Sequence, residues 1–146
     1  MGIDFFSSME VSASGLAAQR TRMNAASSNL ANVATTRGAD GGPYKRRDVV
    51  VASHPASEQI AGGRASGIVP VQGAAIAAIK TDGTPPRMEY DPGHPDADAN
   101  GYVAYPNVNV VEEMVDMITA SRAYEAGVTA LNTSVQMAER ALGIGK

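Results

Sequence analysis

The feature that most constrains this chain is a periodic run of residues between Asn109 and Leu142, near its C-terminal end. Successive members are three or four positions apart, the spacing of one face of an α-helix. They are Val110, Met114, Met117, Ser121, Tyr124, Val128, Leu131, Val135, Ala138 and Leu142. At about 1.5 Å per residue this helix would be roughly 50 Å long. A stripe of that length exceeds what the core of one small domain needs, so it predicts a partner.

The residues around this run predict where the helix begins and ends. Asn109 and Glu112 have the spacing of a capping box, in which side chains bond the first backbone N–H groups. Pro106 cannot extend the helix backwards, and Gly143 can adopt a left-handed turn at its end. Gly127 disfavours the helix interior by about 1 kcal/mol relative to Ala. Either the helix is marginal there, or another backbone approaches closely.

A second helical pattern opens the chain. Ser7 and Glu10 have capping-box spacing and predict the start of the helix. Apolar residues then recur at helical intervals, namely Phe6, Met9, Ala13, Leu16, Met23 and Leu30. Arg20 and Ser27 interrupt this stripe, so one large residue per heptad remains and the alanines between would allow another helix to approach closely. The periodicity ends among turn residues at positions 35–38.

The middle of the chain has a different composition. Residues 38–106 hold all eight prolines and ten of the fifteen glycines. Four short runs within this segment favour β-strands: 48–52, 68–71, 75–80 and 101–105. The predicted fold is therefore mainly α, with two long terminal helices pairing as a coiled-coil-like core and a small β-containing, loop-rich middle region. The boundaries are 1–37 for the N-terminal helix, 38–106 for the middle and 107–146 for the C-terminal helix.

Composition excludes several classes of function. A net charge of -3 gives no general attraction to nucleic acid or anionic lipid. No apolar run reaches the ~20 residues of a membrane span, and the start lacks the pattern of a cleaved signal peptide. The absence of cysteine removes disulfides, thiol chemistry and thiolate metal sites. No cofactor is predicted.

One acidic segment carries the alternative function. Its residues, Asp96, Asp98, Asn100 and Gly101, match the first half of a helix-loop-helix calcium loop. Position 12 of that motif would be Asn107 rather than the required Glu, and prolines stand where the preceding helix should be. We expect an acidic turn, and a soluble calcium-binding or adaptor module remains the alternative.

Other ionisable residues do not assemble into an active site. His54 and His94 lie in proline-flanked segments, and neither has a second histidine at metal-ligand spacing. A basic cluster beside Tyr44 consists of Arg37, Lys45, Arg46 and Arg47. In an acidic chain it is better interpreted as a solvated face or a contact to an acidic neighbour than as a nucleic-acid site. The sequence predicts no enzyme.

Several segments resemble the bacterial flagellar basal-body rod family. They are residues 28–33 (Ser-Asn-Leu-Ala-Asn-Val), 90–103, 107–114 and 120–126, and the resemblance covers nearly the whole chain. The Ser-Asn-Leu-Ala-Asn segment marks the wider rod and hook family. The Asp-Pro-Gly-His-Pro segment at 91–95 and the later Pro-Asn-Val narrow the resemblance to the proximal rod. Gly127 departs from the family, which usually has Asn at that position.

The resemblance implies a structural subunit of the flagellum. The chain would pass unfolded through the flagellar type III export apparatus without a cleaved signal. It would then polymerise helically with itself and with related rod subunits across the periplasm, beside neighbouring basal-body components. Its paired terminal helices would line the axial tube.

The predicted assembly interface follows the two helical stripes. It comprises Met9, Leu16, Met23, Asn29, Leu30, Asn32, Met114, Met117, Tyr124, Val128, Leu131 and Val135. Asn29 and Asn32 share a helix face, and they either terminate the helix or hydrogen-bond a neighbouring helix. The stripes contain few large residues, which predicts that both ends of the isolated subunit are largely disordered and become ordered on assembly.

Overall fold

The computed structural model describes residues 2–38, 40–55 and 72–144. Its elements, in chain order, are α1 (Gly2–Ala31), β1 (Arg47–Pro55), β2 (Gln72–Thr81), β3 (Arg87–Tyr90), β4 (Tyr102–Tyr105) and α2 (Val110–Ile144). Of the four predicted strands, 48–52 and 75–80 fall within β1 and β2, 101–105 begins one residue before β4, and 68–71 lies outside the described residues. β3 was not predicted. Two long helices and two small sheets thus match a mainly α description only roughly.

α2 begins where the sequence predicts and ends slightly later. The side-chain oxygen of Asn109 accepts a hydrogen bond from the backbone N–H of Val111 at 3.1 Å, as an N-cap should. The predicted stop at Gly143 is wrong, because the helix continues to Ile144. Gly143 has open space where a Cβ would stand. Glycine permits a left-handed turn, and nothing at this exposed end requires one.

α1 begins earlier than predicted. It starts at Gly2, so Ser7 lies inside the helix rather than at its cap. The capping-box pattern at Ser7 and Glu10 was therefore a coincidence of spacing.

Each sheet contains two antiparallel strands. β1 pairs with β2 from Arg47 opposite Thr81 to Pro55 opposite Gln72, and β3 pairs with β4. The β1–β2 sheet packs on α1, where the Ser14 hydroxyl accepts a hydrogen bond from the backbone N–H of Ala74 at 3.0 Å. A Cβ at Gly73 would lie 2.7 Å from that hydroxyl oxygen. Glycine at this position thus allows the strand to approach the helix.

α1 and α2 run antiparallel along each other. Asn29 near the end of α1 bonds Glu113 near the start of α2, and Leu16 farther back contacts Gly127 farther on. Among the described residues, the buried apolar side chains are Ala18, Ala26, Val103, Pro106 and Ala120. Small side chains let the two helices approach but bury little apolar surface, so the core is thin.

Candidate assembly surfaces

A buried amide connects the helices to the strand region. Asn29 is only 1% exposed. Its Nδ2 donates to the backbone carbonyl of Arg47 and to Oε2 of Glu113, both at 2.9 Å. Its Oδ1 accepts from the Tyr44 hydroxyl and from the backbone N–H of Arg47, also at 2.9 Å. All four hydrogen bonds that an amide side chain can form are therefore made, and they join α1, β1 and α2.

Glu113 is the second buried polar residue of this region, at 2% exposure. Its other carboxylate oxygen accepts a hydrogen bond from the guanidinium Nε of Arg46. This bond raises the pKa of Arg46 above its ordinary value, and partial burial opposes the rise. Asp116, one turn further on, lies 3.9 Å from another nitrogen of the same guanidinium. A buried carboxylate is thus paired and hydrogen-bonded, the arrangement that makes its burial tolerable.

We call this set of residues the polar junction: Asn29, Tyr44, Arg46, Arg47 and Glu113. Sequence reasoning placed Asn29 at a helix interface and missed the role of Glu113. A signal was available, because Glu113, Ala120, Gly127 and Ser134 recur every seven residues on α2. That repeat consists of small residues and one acid, so an apolar pattern search does not detect it.

The face of α2 toward α1 is rotated from the predicted stripe. Ala120 is fully buried and Gly127 meets Leu16, whereas Met114 is 45% exposed. A Cβ at Gly127 would lie 2.9 Å from a methyl carbon of Leu16. The close approach predicted at Gly127 is therefore made by a side chain of α1 rather than by a backbone.

The predicted interface residues occupy three environments. Asn29 is buried and Met114 is exposed. The remaining residues are partly exposed: Met9, Leu16, Met23, Leu30, Asn32, Met117, Tyr124, Val128, Leu131 and Val135. Asn32 makes local bonds, since its amide nitrogen donates to the Ser28 carbonyl at 2.8 Å and its oxygen accepts from Thr35. Asn32 therefore closes the end of α1, while Asn29 bonds the neighbouring helix of its own chain.

A patch of large apolar side chains lies on the side of α2 that faces away from α1. We call it the outer patch, and its members are Val111 (68% exposed), Met114 (45%), Val115 (56%) and Ile118 (50%). They lie within two helical turns, so they form one continuous surface. Contiguous exposed apolar side chains commonly mark interaction surfaces.

The acidic segment has a structural role. Asp96 bonds the Thr36 hydroxyl at 2.8 Å and lies 3.4 Å from the Arg37 guanidinium. Asp98 accepts hydrogen bonds from the backbone N–H groups of Asn100 and Tyr102. Within the described ranges, no group of three acidic or histidine side chains is placed to hold a metal ion. Asp98 therefore fixes the turn and Asp96 ties it to the segment that follows α1, and the described residues give the calcium-binding alternative no support.

The basic cluster is divided among separate partners. Arg37 pairs with Asp96, and Arg46 pairs with Glu113. The Arg47 guanidinium lies 5.9 Å from the centre of the Tyr44 ring, within the range of a cation–π contact. Contacts to acidic side chains thus account for Arg37 and Arg46, whereas Arg47 contacts the Tyr44 ring and Lys45 is exposed, so the cluster combines the two interpretations of the sequence. Neither helix, over the residues described, is long and apolar enough to span a membrane.

Comparison with known proteins places the chain in a class. A family model described as flagella basal body rod protein matches residues 9–39. A second, described as flagellar basal body rod FlgEFG protein C-terminal, matches residues 99–144. The two matches fall on α1 with its following turn and on β4 with α2. The fold is thus that of a flagellar rod protein, with its helical ends as the family-defining parts.

Curated relatives narrow the class further. The flagellar basal-body rod protein FlgC of Borreliella burgdorferi is 47% identical over 95% of this chain and 96% of its own length. FlgC of Bacillus subtilis is 42% identical over 97% of this chain and 98% of its own. FlgC of Salmonella typhimurium is 41% identical over 94% of this chain and 95% of its own length. The chain belongs to the FlgC family of flagellar basal-body rod proteins, which are structural proteins and not enzymes.

Proposed function

We propose that this chain polymerises helically, with copies of itself and with related rod subunits, to form the proximal part of the flagellar rod. The observation that carries this proposal is the contrast between core and surface. Among the residues whose side chains the structure describes, the buried apolar ones are three alanines, Val103 and Pro106, while the outer patch of α2 exposes four large apolar residues. A chain that leaves its larger side chains outside gains more apolar burial by association than by folding alone.

The paired helices supply a second argument for assembly. We propose that α1 and α2 form a coiled-coil-like unit in which large residues on one helix face small residues on the other. The contact between Leu16 and Gly127 is one such pair, and the antiparallel register brings Met23 near Ala120. Knob-and-hole packing of this kind holds two helices close together in one register. A long, stiff unit suits a tube wall that transmits torque.

We further propose that α1 and α2 become fully ordered only in the rod. Ordering a residue costs about 1 to 2 kcal/mol of backbone entropy, and alanine-rich contacts offset little of it. Isolated helices are marginal in water. A chain with unfolded ends can pass a narrow export channel and become rigid afterwards. Circular dichroism and limited proteolysis of the purified subunit test this, and a protease-resistant monomer with two full helices would contradict it.

Membership of the rod family also supports two proposals, on how the chain is exported and on where it is located. The chain would leave the cytoplasm through the flagellar type III apparatus without cleavage of a signal and would occupy the rod where it crosses the periplasm. Its neighbours would be rod subunits and other basal-body components. Mass spectrometry of the protein recovered from purified basal bodies tests the first point, because an intact N-terminal segment is expected and a shortened one would refute it.

The proposed function as a whole is tested by deletion and imaging. A strain lacking the chain should be non-motile and should lack a complete rod, and the wild-type chain supplied in trans should restore both. Electron cryo-microscopy of the restored basal bodies should show α1 and α2 side by side in the wall of the rod. Normal rods in the deletion strain would refute the proposal.

A further inference from the structure

The turn that leads into β4 contains the only asparagine of this chain that is followed by glycine, at Asn100 and Gly101. A side-chain amide is lost most readily in this sequence, because glycine has no Cβ to hinder the attack of its own backbone nitrogen. Asn100 is exposed, and within the residues that the structure describes its amide makes no hydrogen bond. The pair is therefore a candidate site for a covalent change that needs no enzyme.

The fold requires glycine at position 101. Gly101 has a φ of +80°, a left-handed conformation that residues with a side chain disfavour. A Cβ there would also lie 2.9 Å from Cε2 of Tyr90 and 3.3 Å from Cβ of Pro92. The turn therefore cannot be kept while this glycine is replaced by a residue that would protect Asn100.

The covalent change is deamidation through a cyclic succinimide. The backbone nitrogen of Gly101 gives up its proton and attacks Cγ of Asn100, so that a C–N bond forms and the amide nitrogen leaves as ammonia with that proton. Water then opens the succinimide at one or the other of its carbonyl groups, which gives aspartate or isoaspartate at position 100. Isoaspartate lengthens the main chain by the Cβ atom of that residue.

The folded turn restrains the first step of this reaction. The attacking nitrogen of Gly101 donates its proton to the backbone carbonyl of Asp98 at 3.0 Å. The Asp98 carboxylate accepts hydrogen bonds from the backbone N–H groups of Asn100 at 2.8 Å and Tyr102 at 2.9 Å, so the main chain is held on both sides of the glycine. The nitrogen can turn toward Cγ of Asn100 only when these bonds open, and the rate then follows the population of the opened turn.

We propose that Asn100 is a site of spontaneous deamidation that reacts in the unfolded chain and is shielded by the turn in the folded chain. Isoaspartate there would displace the hydrogen bonds beside it that position β3 against β4. The Asp98 N–H donates to the Tyr102 carbonyl at 2.8 Å, and the Asp91 N–H donates to the Gly101 carbonyl at 2.9 Å. A longer main chain cannot keep both bonds, so the modified chain loses the native turn.

The proposed export of an unfolded chain gives this site a consequence, which, unlike the site itself, rests on the proposed function. A subunit that waits unfolded before export is modified with time, whereas a subunit folded in the rod is shielded. The turn also carries Asp96, whose carboxylate bonds the Thr36 hydroxyl after α1 at 2.8 Å. Loss of the turn therefore also affects the contact between the strand region and the end of α1.

The rate of deamidation in the full-length chain tests the proposal. Purified chain is incubated at one mildly alkaline pH in buffer and in concentrated guanidinium chloride, and peptide mapping by mass spectrometry measures the conversion of each asparagine. In guanidinium chloride, Asn100 should convert at least about tenfold faster than Asn24 and Asn132, which are followed by residues with a Cβ. In buffer, Asn100 should convert at least about tenfold more slowly than in guanidinium chloride, a ratio that corresponds to 1.4 kcal/mol of opening free energy.

Three variants separate the effect of the sequence from that of the turn. Gly101→Ala is compared with the wild type in guanidinium chloride, where folding plays no part, and should slow conversion of Asn100 to the rate of Asn24. In buffer, Asp98→Ala removes the carboxylate that holds the turn and should speed conversion severalfold. Asp98→Asn retains an acceptor oxygen at the same position and is the matched control, which should stay near the wild-type rate.

The outcomes decide the site and its shielding separately. Conversion of Asn100 no faster than that of Asn24 in guanidinium chloride would overturn the site. Equal rates for the wild type in buffer and in guanidinium chloride would overturn the shielding, and an unchanged rate in Asp98→Ala would overturn the role of Asp98 in it. None of these measurements uses basal bodies, so their failure would leave the proposed rod function intact, and absence of the chain from basal bodies would leave the site intact.

Discussion

Replacing Asn29 by Ala tests whether the polar junction holds the two helices in register. The substitution removes an amide that makes four hydrogen bonds, and it leaves Oε2 of Glu113, the Tyr44 hydroxyl and both backbone groups of Arg47 without this partner. A buried polar group without a partner costs about 1 to 3 kcal/mol. Tyr44 can still reach the Ser28 hydroxyl, which lies 3.3 Å away. We therefore expect a total loss of about 3 to 5 kcal/mol.

The size of this loss determines the assay. A change of about 3 kcal/mol alters an equilibrium constant more than a hundredfold, since each 1.4 kcal/mol is a factor of ten. Because we propose that the helices are ordered in the rod, the measurement is made on assembled protein. A strain lacking the chain is supplied with each variant, and the amount retained in isolated basal bodies is measured as urea is increased. We expect Asn29→Ala to reduce recovery strongly and to lower the urea midpoint by about 1 M or more.

Two other asparagines on or near α1 serve as controls. Asn24→Ala changes an exposed side chain and should assemble like the wild type. Asn32→Ala removes only the local bonds that close the helix, so we expect a loss of about 1 kcal/mol. If Asn29→Ala behaves like Asn24→Ala in both recovery and urea midpoint, the polar junction does not stabilise the assembled helices and this reasoning fails.

Three further changes have defined outcomes. Leu131→Asp should abolish motility and rod assembly, because burying an unpaired carboxylate costs several kcal/mol. Thr133→Asp changes an exposed residue and should leave both unchanged. Equal motility of the two variants would show that Leu131 is not part of the helix interface. Gly127→Leu should also block assembly, because the leucine side chain would collide with Leu16 of α1. Gly127→Ala should be tolerated, because alanine gains about 1 kcal/mol in helix propensity over glycine. Normal rods with leucine at position 127 would contradict the close approach of the helices. Hydrogen bonds from the Thr84 hydroxyl, and then from its backbone N–H, lower the pKa of Asp82. The contribution of these bonds to folding stability is therefore present above the ordinary pKa of an aspartate and is lost as the pH falls through the lowered pKa. An NMR titration should show that Thr84→Ala raises the pKa of Asp82, and an unchanged pKa would disprove the assignment.

The sequence by itself determined the helices and the family. Helical periodicity is a local property, so residues 110–142 predicted α2, and Asn109 predicted its cap from the hydrogen bond that an asparagine side chain offers. The segments at 28–33 and 90–103 carried the resemblance to rod proteins. The start of α1 was predicted five residues too late, because a cap-like spacing can arise by chance inside a helix.

Only the tertiary structure decided which face of α2 meets α1. The predicted stripe contained the larger apolar residues, yet the contact uses Ala120 and Gly127, and Met114 remains outside. A helix that packs closely against another needs small side chains at the contact, so the largest residues of a rod-type helix can be left for other subunits. Periodicity predicts that a helix has an apolar face, but it does not predict which face packs against another element of the same chain.

The polar junction likewise depended on the fold. Asn29 and Glu113 are 84 positions apart in the chain, and their hydrogen bond exists only because α1 and α2 are antiparallel in one particular register. Arg46 becomes the counter-ion of Glu113 because β1 begins beside the end of α1. From the neighbouring sequence alone, each of these residues would be predicted to be an ordinary exposed polar residue. Burial gives them their role, and burial is set by neighbours that are distant in sequence.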